Sequence, residues 1–168
     1  MALVVGETTY ISIADASTYF TANYLSTDAK LIAWNALSSP DKEVLLRKAA
    51  KILDQQRLIG IKYIPTQPME FPRAIYSDSW KYAFNTIPYT LYGDYYIVEA
   101  TDGVKFAQCE IAIDAMSPSK RTELQREGVK SFSLGSLSES YGGGTGASIP
   151  YTAREYLTPF RAGGVAIC

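Results

Sequence analysis

The chain has 168 residues, with 16 Lys and Arg against 17 Asp and Glu, and it contains no histidine. That length sets one domain, or one domain with arms, and a hydrophobic content of 47% is enough for a sizeable core. A net charge of −1 argues against a dominant electrostatic role on nucleic acid, and the missing histidine removes the usual general base, the usual metal ligand and every Ser-His or Cys-His dyad.

Residues 1–10 read as an extended arm or edge strand, with Leu3, Val4 and Val5 ahead of Gly6. They lack the basic region and long apolar core of a signal peptide. No run approaches the roughly 20 apolar residues that span a bilayer, so a soluble protein made in the cytoplasm is expected. Ser12 with Asp15 forms a capping-box pattern. It opens a helix of about 12 residues that carries Ile13, Ala16, Tyr19, Phe20 and Tyr24 near one face. Ser26, Thr27 and Asp28 punctuate a connector, and a short helix, LIAWNAL, then sends Trp34 and Leu37 towards the core.

SSPDKEVLLRKAAKILDQQ is the best-signalled helix. Ser38 or Ser39 caps it, Pro40 sits where a missing N–H costs nothing, and Asp41 and Glu43 lie at the positive end of the dipole. Leu45, Ala49, Ile52, Leu53 and Gln56 follow the 3.6-residue period and predict its buried face. Three prolines, Pro65, Pro68 and Pro72, then end helical structure.

Residues 74–98 read as a long loop insertion with eight aromatics: Tyr76, Trp80, Tyr82, Phe84, Tyr89, Tyr92, Tyr95 and Tyr96. A loop of this length is usually functional or an interface. Aromatics interleaved with basics can stack single-stranded bases, but only Arg73 and Lys81 supply charge here. Protein contact, loop packing and nucleic-acid binding all remain open, with protein contact the best fit.

Helical pattern returns at about 98–116. Val104, Ala107, Ile111, Ala112 and Ala115 make one stripe, and Phe106, Cys109, Ile113 and Met116 a second, which predicts a central helix. Glu110 and Asp114, one turn apart, read as a solvated face. Cys109 reads as a small buried hydrophobe and Cys168 as a bystander, so no disulfide is expected. SPSKRTELQREG suggests a further short helix. VKSFSLGSLSESY over 129–141 alternates around Gly135-Ser136 and predicts a β-hairpin that presents Phe132 and Leu134. The Gly-rich run at 142–148 has no lysine for a P-loop and reads as a linker. Residues 149–168 follow as a C-terminal segment with a helix that carries Tyr151, Tyr156, Leu157, Phe160 and Arg161. It either docks in a neighbour's groove or folds back on its own domain.

The expected fold is therefore mainly α: a bundle of about four helices at 1–141, with a β-hairpin and an extended C-terminal docking segment that is dispensable for the fold. No catalytic residue, metal or cofactor is expected.

The stretches YISIADASTYFTANY, AWNALSSPDKEVLLRKAAKILDQQ, PMEFPRA, IVEATDGVKFAQCEIAIDAM and VKSFSLGSLSESY, in this order, resemble the small head–tail connector (adaptor) proteins of tailed bacteriophages. This group is sometimes labelled DnaT-like single-stranded DNA-binding. The resemblance covers nearly the whole chain. Its most specific parts are the early Tyr-Ile-Ser-Ile-Ala-Asp-Ala, Trp34, Leu53-Asp54 and Phe71-Pro72-Arg73. The chain departs from the pattern in its expanded, Tyr-rich 75–96 and its Gly-rich tail. The resemblance implies a structural virion protein, a protomer of a homo-oligomeric ring that is typically twelve-fold. The implied partners are the portal protein, a downstream tail or stopper protein, and genomic double-stranded DNA passing through the channel without sequence-specific binding; no membrane is implied. The C-terminal segment would reach onto the portal. The alternative is a single-stranded DNA-binding module.

Overall fold

A computed structural model of the protein describes residues 3–76, 89–116 and 149–161, and the backbone of 131–134 and 137–140. Five helices and two small sheets are found among them. Helix α1 spans Ile13–Asn23, α2 Ala29–Ala36, α3 Ser39–Asp54, α4 Asp102–Met116 and α5 Tyr151–Leu157, the last continued by a 3-10 turn over Thr158–Phe160. The expected 118–128 helix, the 142–148 linker and Cys168 lie outside the described residues.

Local chemistry fixes the helix starts. Ser12 Oγ accepts the Asp15 N–H at 3.1 Å and donates to its carboxylate at 2.7 Å. Asp28 accepts the Lys30 N–H at 2.8 Å, and Ser38, rather than Ser39, caps α3. Each cap satisfies a first-turn donor that the helix leaves unpaired, worth about 1 kcal/mol.

Helix α4 is the centre of the bundle and packs on α1, α2, α3 and α5. Its Val104, Ala107, Cys109, Ile111, Ala112 and Ile113 are all buried. The face of α3 against it is Leu46, Ala49, Ala50 and Leu53. Leu45 and Ile52 flank that face half-buried instead of centring it, and Ala115 is half-buried as well. Two adjacent alanines at the centre allow a close approach, and Gln108 of α4 donates to the Leu46 carbonyl at 2.8 Å. The same amide accepts the Tyr10 N–H and donates to Thr9 Oγ1, so this buried side chain ties the N-terminal segment to both helices. Trp34 is fully buried, edge-on to Phe20 at 4.7 Å, with its Nε1 donating to Ser17 at 3.1 Å. Residues 3–9 form a turn with one isolated Val5–Thr9 bridge rather than a strand of either sheet.

The flanks of the expected aromatic loop are strands. Strands β1 (Ile61–Lys62), β2 (Arg73–Tyr76), β3 (Thr90–Tyr92) and β4 (Tyr95–Val98) form an antiparallel sheet in the order β1-β2-β4-β3. Strand β4 ends at Val98, where helical pattern was expected to return, and α4 starts at Asp102. Only Gly93 and Asp94 separate β3 from β4, and Gly93 takes the left-handed φ of +58° that a tight hairpin needs at its first loop position. Ile75 and Val98 turn one face of the sheet into the core. A second sheet is the ribbon of β5 (Ser131–Leu134) and β6 (Leu137–Ser140), joined across two residues as the Gly135-Ser136 pattern predicts.

Candidate interaction surface

The Phe71-Pro72-Arg73 motif is a structural keystone. Phe71 stacks edge-on against Tyr10 and Phe160, and the Phe71–Pro72 bond is cis. Arg73 is buried and donates to the carbonyls of Ile59 (2.6 Å), Leu58 (3.2 Å) and Gly60 (2.6 Å), and it pairs with Glu70. A guanidinium fork is the side chain that can hold three carbonyls of one turn at once. Gly60 is required there, because its φ is +73° and an added Cβ would lie 2.4 Å from the Ala74 oxygen. Leu53-Asp54 serves the same region. The Tyr10 hydroxyl donates to Asp54 and accepts the Glu70 and Phe71 N–H groups at 3.0 and 3.3 Å. Burial pushes the Asp54 carboxyl up to about 6 and, helped by the Asp54 charge, holds the Tyr10 hydroxyl above the usual phenol range.

Glu110 and Asp114 are buried rather than solvated. The Glu110 carboxylate accepts hydrogen bonds from Tyr19 (2.7 Å) and Tyr24 (2.9 Å) on α1 and from Thr152 (2.8 Å) on α5. Three hydroxyl donors replace the water that burial removes. Burial, then hydrogen bonds with Tyr156 and Glu110, raises the Tyr19 hydroxyl above its ordinary range. Burial likewise raises the Cys109 thiol, which leaves it a poor nucleophile.

These bonds belong to a C-terminal segment that folds back. Leu157 and Phe160 lie in the protein's own core with Ile149 and Ala153, and the Phe160 carbonyl accepts the Ile59 N–H at 2.8 Å. Tyr156 is half-buried against Phe106, and Arg161 bridges back to Leu58. The expectation of a docking tail dispensable for the fold is thereby corrected for 149–161. Without it Phe71 and Phe106 would each lose a ring partner and Glu110 one of its three donors. Tyr151 alone of the expected tail anchors stands well out, at 71% exposure.

The aromatic residues nearer the sheet are differently placed. Tyr95 on β4 lies directly opposite Tyr76 on β2 and Tyr92 on β3. The three form a row across the sheet on one face, with the Tyr76 and Tyr95 rings 5.6 Å apart. They are 45%, 41% and 71% exposed for Tyr76, Tyr95 and Tyr92. Tyr96 points the other way, half-buried beside Tyr89 at 4.5 Å. Ile61, Tyr63, Ile64 and Leu91, which sequence reasoning passed over, are also exposed on the sheet and its loops. The alternation in Ile61-Lys62-Tyr63 was a signal for them. Of the cations on the four strands, Arg73 is buried and Lys62 lies 3.5 Å from Glu70. Trp80, Tyr82 and Phe84 lie outside the described residues, as do the side chains of Phe132 and Leu134.

An open cleft of about 580 Å³ next to the sheet is lined by Tyr89, Ile97, Glu99, Asp102, Tyr156 and Phe160 among others. Among the described residues no group of three or more His, Cys, Asp or Glu is placed to hold a metal ion, and no helix is long and apolar enough to cross a membrane.

No curated protein and no solved structure matches the chain. A family model described as "Putative DnaT-like ssDNA binding protein" matches residues 1–164. The match takes in every element of the fold, including the cap at Ser12, the Arg73 turn and the folded-back α5, and the chain belongs to this DnaT-like ssDNA-binding protein family.

Proposed function

We propose that this protein is a non-catalytic assembly protein, the head–tail adaptor of a tailed bacteriophage. In this reading it forms a ring beneath the portal in the virion, extends the DNA channel and presents a surface to the next tail or stopper protein. One observation carries the reading. The exposed part of the sheet offers tyrosines and aliphatic side chains with no available cation on its strands. Such a surface suits contact between proteins, where aromatics are enriched and charge is depleted at the centre. It suits capture of a polyphosphate poorly, because phosphate contacts dominate such affinity. A near-neutral ring would let duplex DNA pass without holding it. The test is to incubate purified portal rings with the wild-type protein and with a Tyr92→Ser/Tyr95→Ser variant, and to image the particles. Adaptor rings seated on the portal by the wild type alone are the expected result; no seating by either protein overturns it.

The family's description favours a second reading, a single-stranded DNA-binding module. A row of tyrosines on an antiparallel sheet is also a platform on which bases can stack. That reading expects an affinity for oligonucleotides that falls steeply with salt and is lost in the same Tyr92→Ser/Tyr95→Ser variant.

A further inference from the structure

We infer that the outward face of α3 in one copy of this chain docks in the acidic cleft beside the sheet of the next copy, so that the ring closes through a charged helix-to-cleft contact; this deepens the adaptor reading and rests on it. Leu46, Ala49, Ala50 and Leu53 turn one side of α3 onto α4. The opposite side carries Val44, Lys48, Lys51 and Gln55, spaced at i, i+4, i+7 and i+11, and all four are exposed. Arg57 is exposed just beyond the helix. The carboxylates of this stretch are engaged elsewhere. Glu43 pairs with Arg47 at 3.4 Å, and Asp54 accepts the Tyr10 hydroxyl. Every exposed charge from Val44 to Arg57 is therefore positive. None of the ion pairs among the described residues uses Lys48, Lys51 or Arg57.

The cleft of about 580 Å³ has the opposite character. Glu99 and Asp102 line it together with Tyr89, Ile97 and Tyr156, and no Lys or Arg stands among its described lining residues. Glu99 is exposed, and Asp102 keeps 75% of its side chain open despite an ion pair with Lys105. Thr90 and Ile97 reach the cleft from the sheet face that carries Tyr92 and Tyr95, since residues two apart on a strand share a face. The cleft thus continues the tyrosine row as one aromatic surface with carboxylates at its end. Lysine suits such a seat, because its stem packs on apolar surface while its ammonium reaches a charge at the edge. The two charge sets do not meet within one copy. Lys48 and Lys51 lie on the side of α3 turned from α4, whereas the cleft is built where α4 begins. The chain is nearly neutral at −1, yet it gathers cations on one surface and anions on another. A second copy is the partner that fits both surfaces; nucleic acid would satisfy the stripe and leave the cleft unpaired. Contact between two different surfaces of one chain is heterologous, and it propagates from copy to copy until rotation closes it into a ring.

Charge reversal gives the test. In one variant Lys48→Glu and Lys51→Glu make the stripe acidic; in the other Glu99→Lys and Asp102→Lys make the cleft basic. Circular dichroism and thermal melting check the fold of both, and Glu99→Lys alone replaces the second pair where Asp102→Lys unsettles the start of α4. Sedimentation at about 50 mM salt then measures assembly. The wild type is expected to form oligomers that weaken at least about 10-fold as salt rises to about 500 mM, and each variant alone to self-associate at least about 10-fold more weakly than the wild type. An equal mixture should recover the wild-type oligomer with the two variants alternating, because each acidic stripe then meets a basic cleft and each basic stripe an acidic one. Variants that assemble like the wild type, a mixture that assembles no better than its components, or wild-type oligomers indifferent to salt overturn the inference and leave the adaptor reading standing. A monomeric wild type overturns the inference too, and salt-sensitive capture of an oligonucleotide by that monomer removes the adaptor reading with it.

Discussion

Replacing Arg73 by alanine deletes a guanidinium that is 5% exposed and holds three carbonyls of one turn. Hydrogen bonds to a charged group contribute about 1.5–3 kcal/mol each, so three sealed bonds would sum to about 4–9 kcal/mol. The turn is not sealed. Gly60 is exposed and Leu58 and Ile59 are half-buried, so water takes over part of the loss. Glu70 keeps Lys62 as a partner. About 3–5 kcal/mol remains, the usual cost of removing one side of a buried ionic network. In a chain of this length each kcal/mol moves Tm by about 2–4 °C, so Arg73→Ala should melt about 6–20 °C below the wild type. Arg73→Lys keeps the charge but cannot fork, and should fall between the two. Urea titration followed by tryptophan fluorescence, with thermal melts alongside, measures both. An Arg73→Ala protein within about 1 kcal/mol of the wild type would refute the keystone role and leave the motif unexplained.

Two further perturbations probe one half-buried and one buried carboxylate. Asp54 is raised from 3.8 to about 6, chiefly by burial, so the folded state binds its proton more tightly than the unfolded chain does. The stability it contributes is full below about pH 4 and is lost as pH rises through about 6; with the carboxyl partly solvated this amounts to about 1–2 kcal/mol. Asp54→Asn should flatten the stability profile between pH 4 and 7, and equal slopes in both proteins would exclude this assignment. Glu110→Ala strips the acceptor from Tyr19, Tyr24 and Thr152 and should cost about 2–4 kcal/mol, with Glu110→Gln milder. Hydrogen exchange should then quicken over α5 before α3; uniform exchange would argue against a local anchoring role.

The caps and the helices they open were legible because their signals are local. Ser12, Asp28, Ser38 and Pro40 act within one turn, and the chain shows them directly. The rotation of α3 was legible only in part. Leu45, Ile52, Leu46 and Ala50 all fit a helical period, and the choice among them depends on where α4 lies. Glu110 misled for a related reason. A carboxylate reads as solvated unless its donors are known, and these come from 91, 86 and 42 residues away. The sheet had a readable signal, Gly93-Asp94 between short aromatic and β-branched runs, but the surrounding length and aromatic density suggested a loop. Folding back of α5 was one of two open readings, because an amphipathic helix shows an apolar face without showing what covers it. The tyrosines of the candidate surface were picked out as residues, whereas their alignment in one row follows from strand register, which composition does not carry.

The central claim, that the exposed tyrosine row meets protein rather than DNA, is tested most directly by native mass spectrometry of the wild-type protein at low salt with a single-stranded oligonucleotide of about 30 bases. The account predicts oligomers up to a closed ring that ignore the oligonucleotide. A protein–oligonucleotide complex that dissolves as salt rises, and that Tyr92→Ser/Tyr95→Ser abolishes, would contradict it.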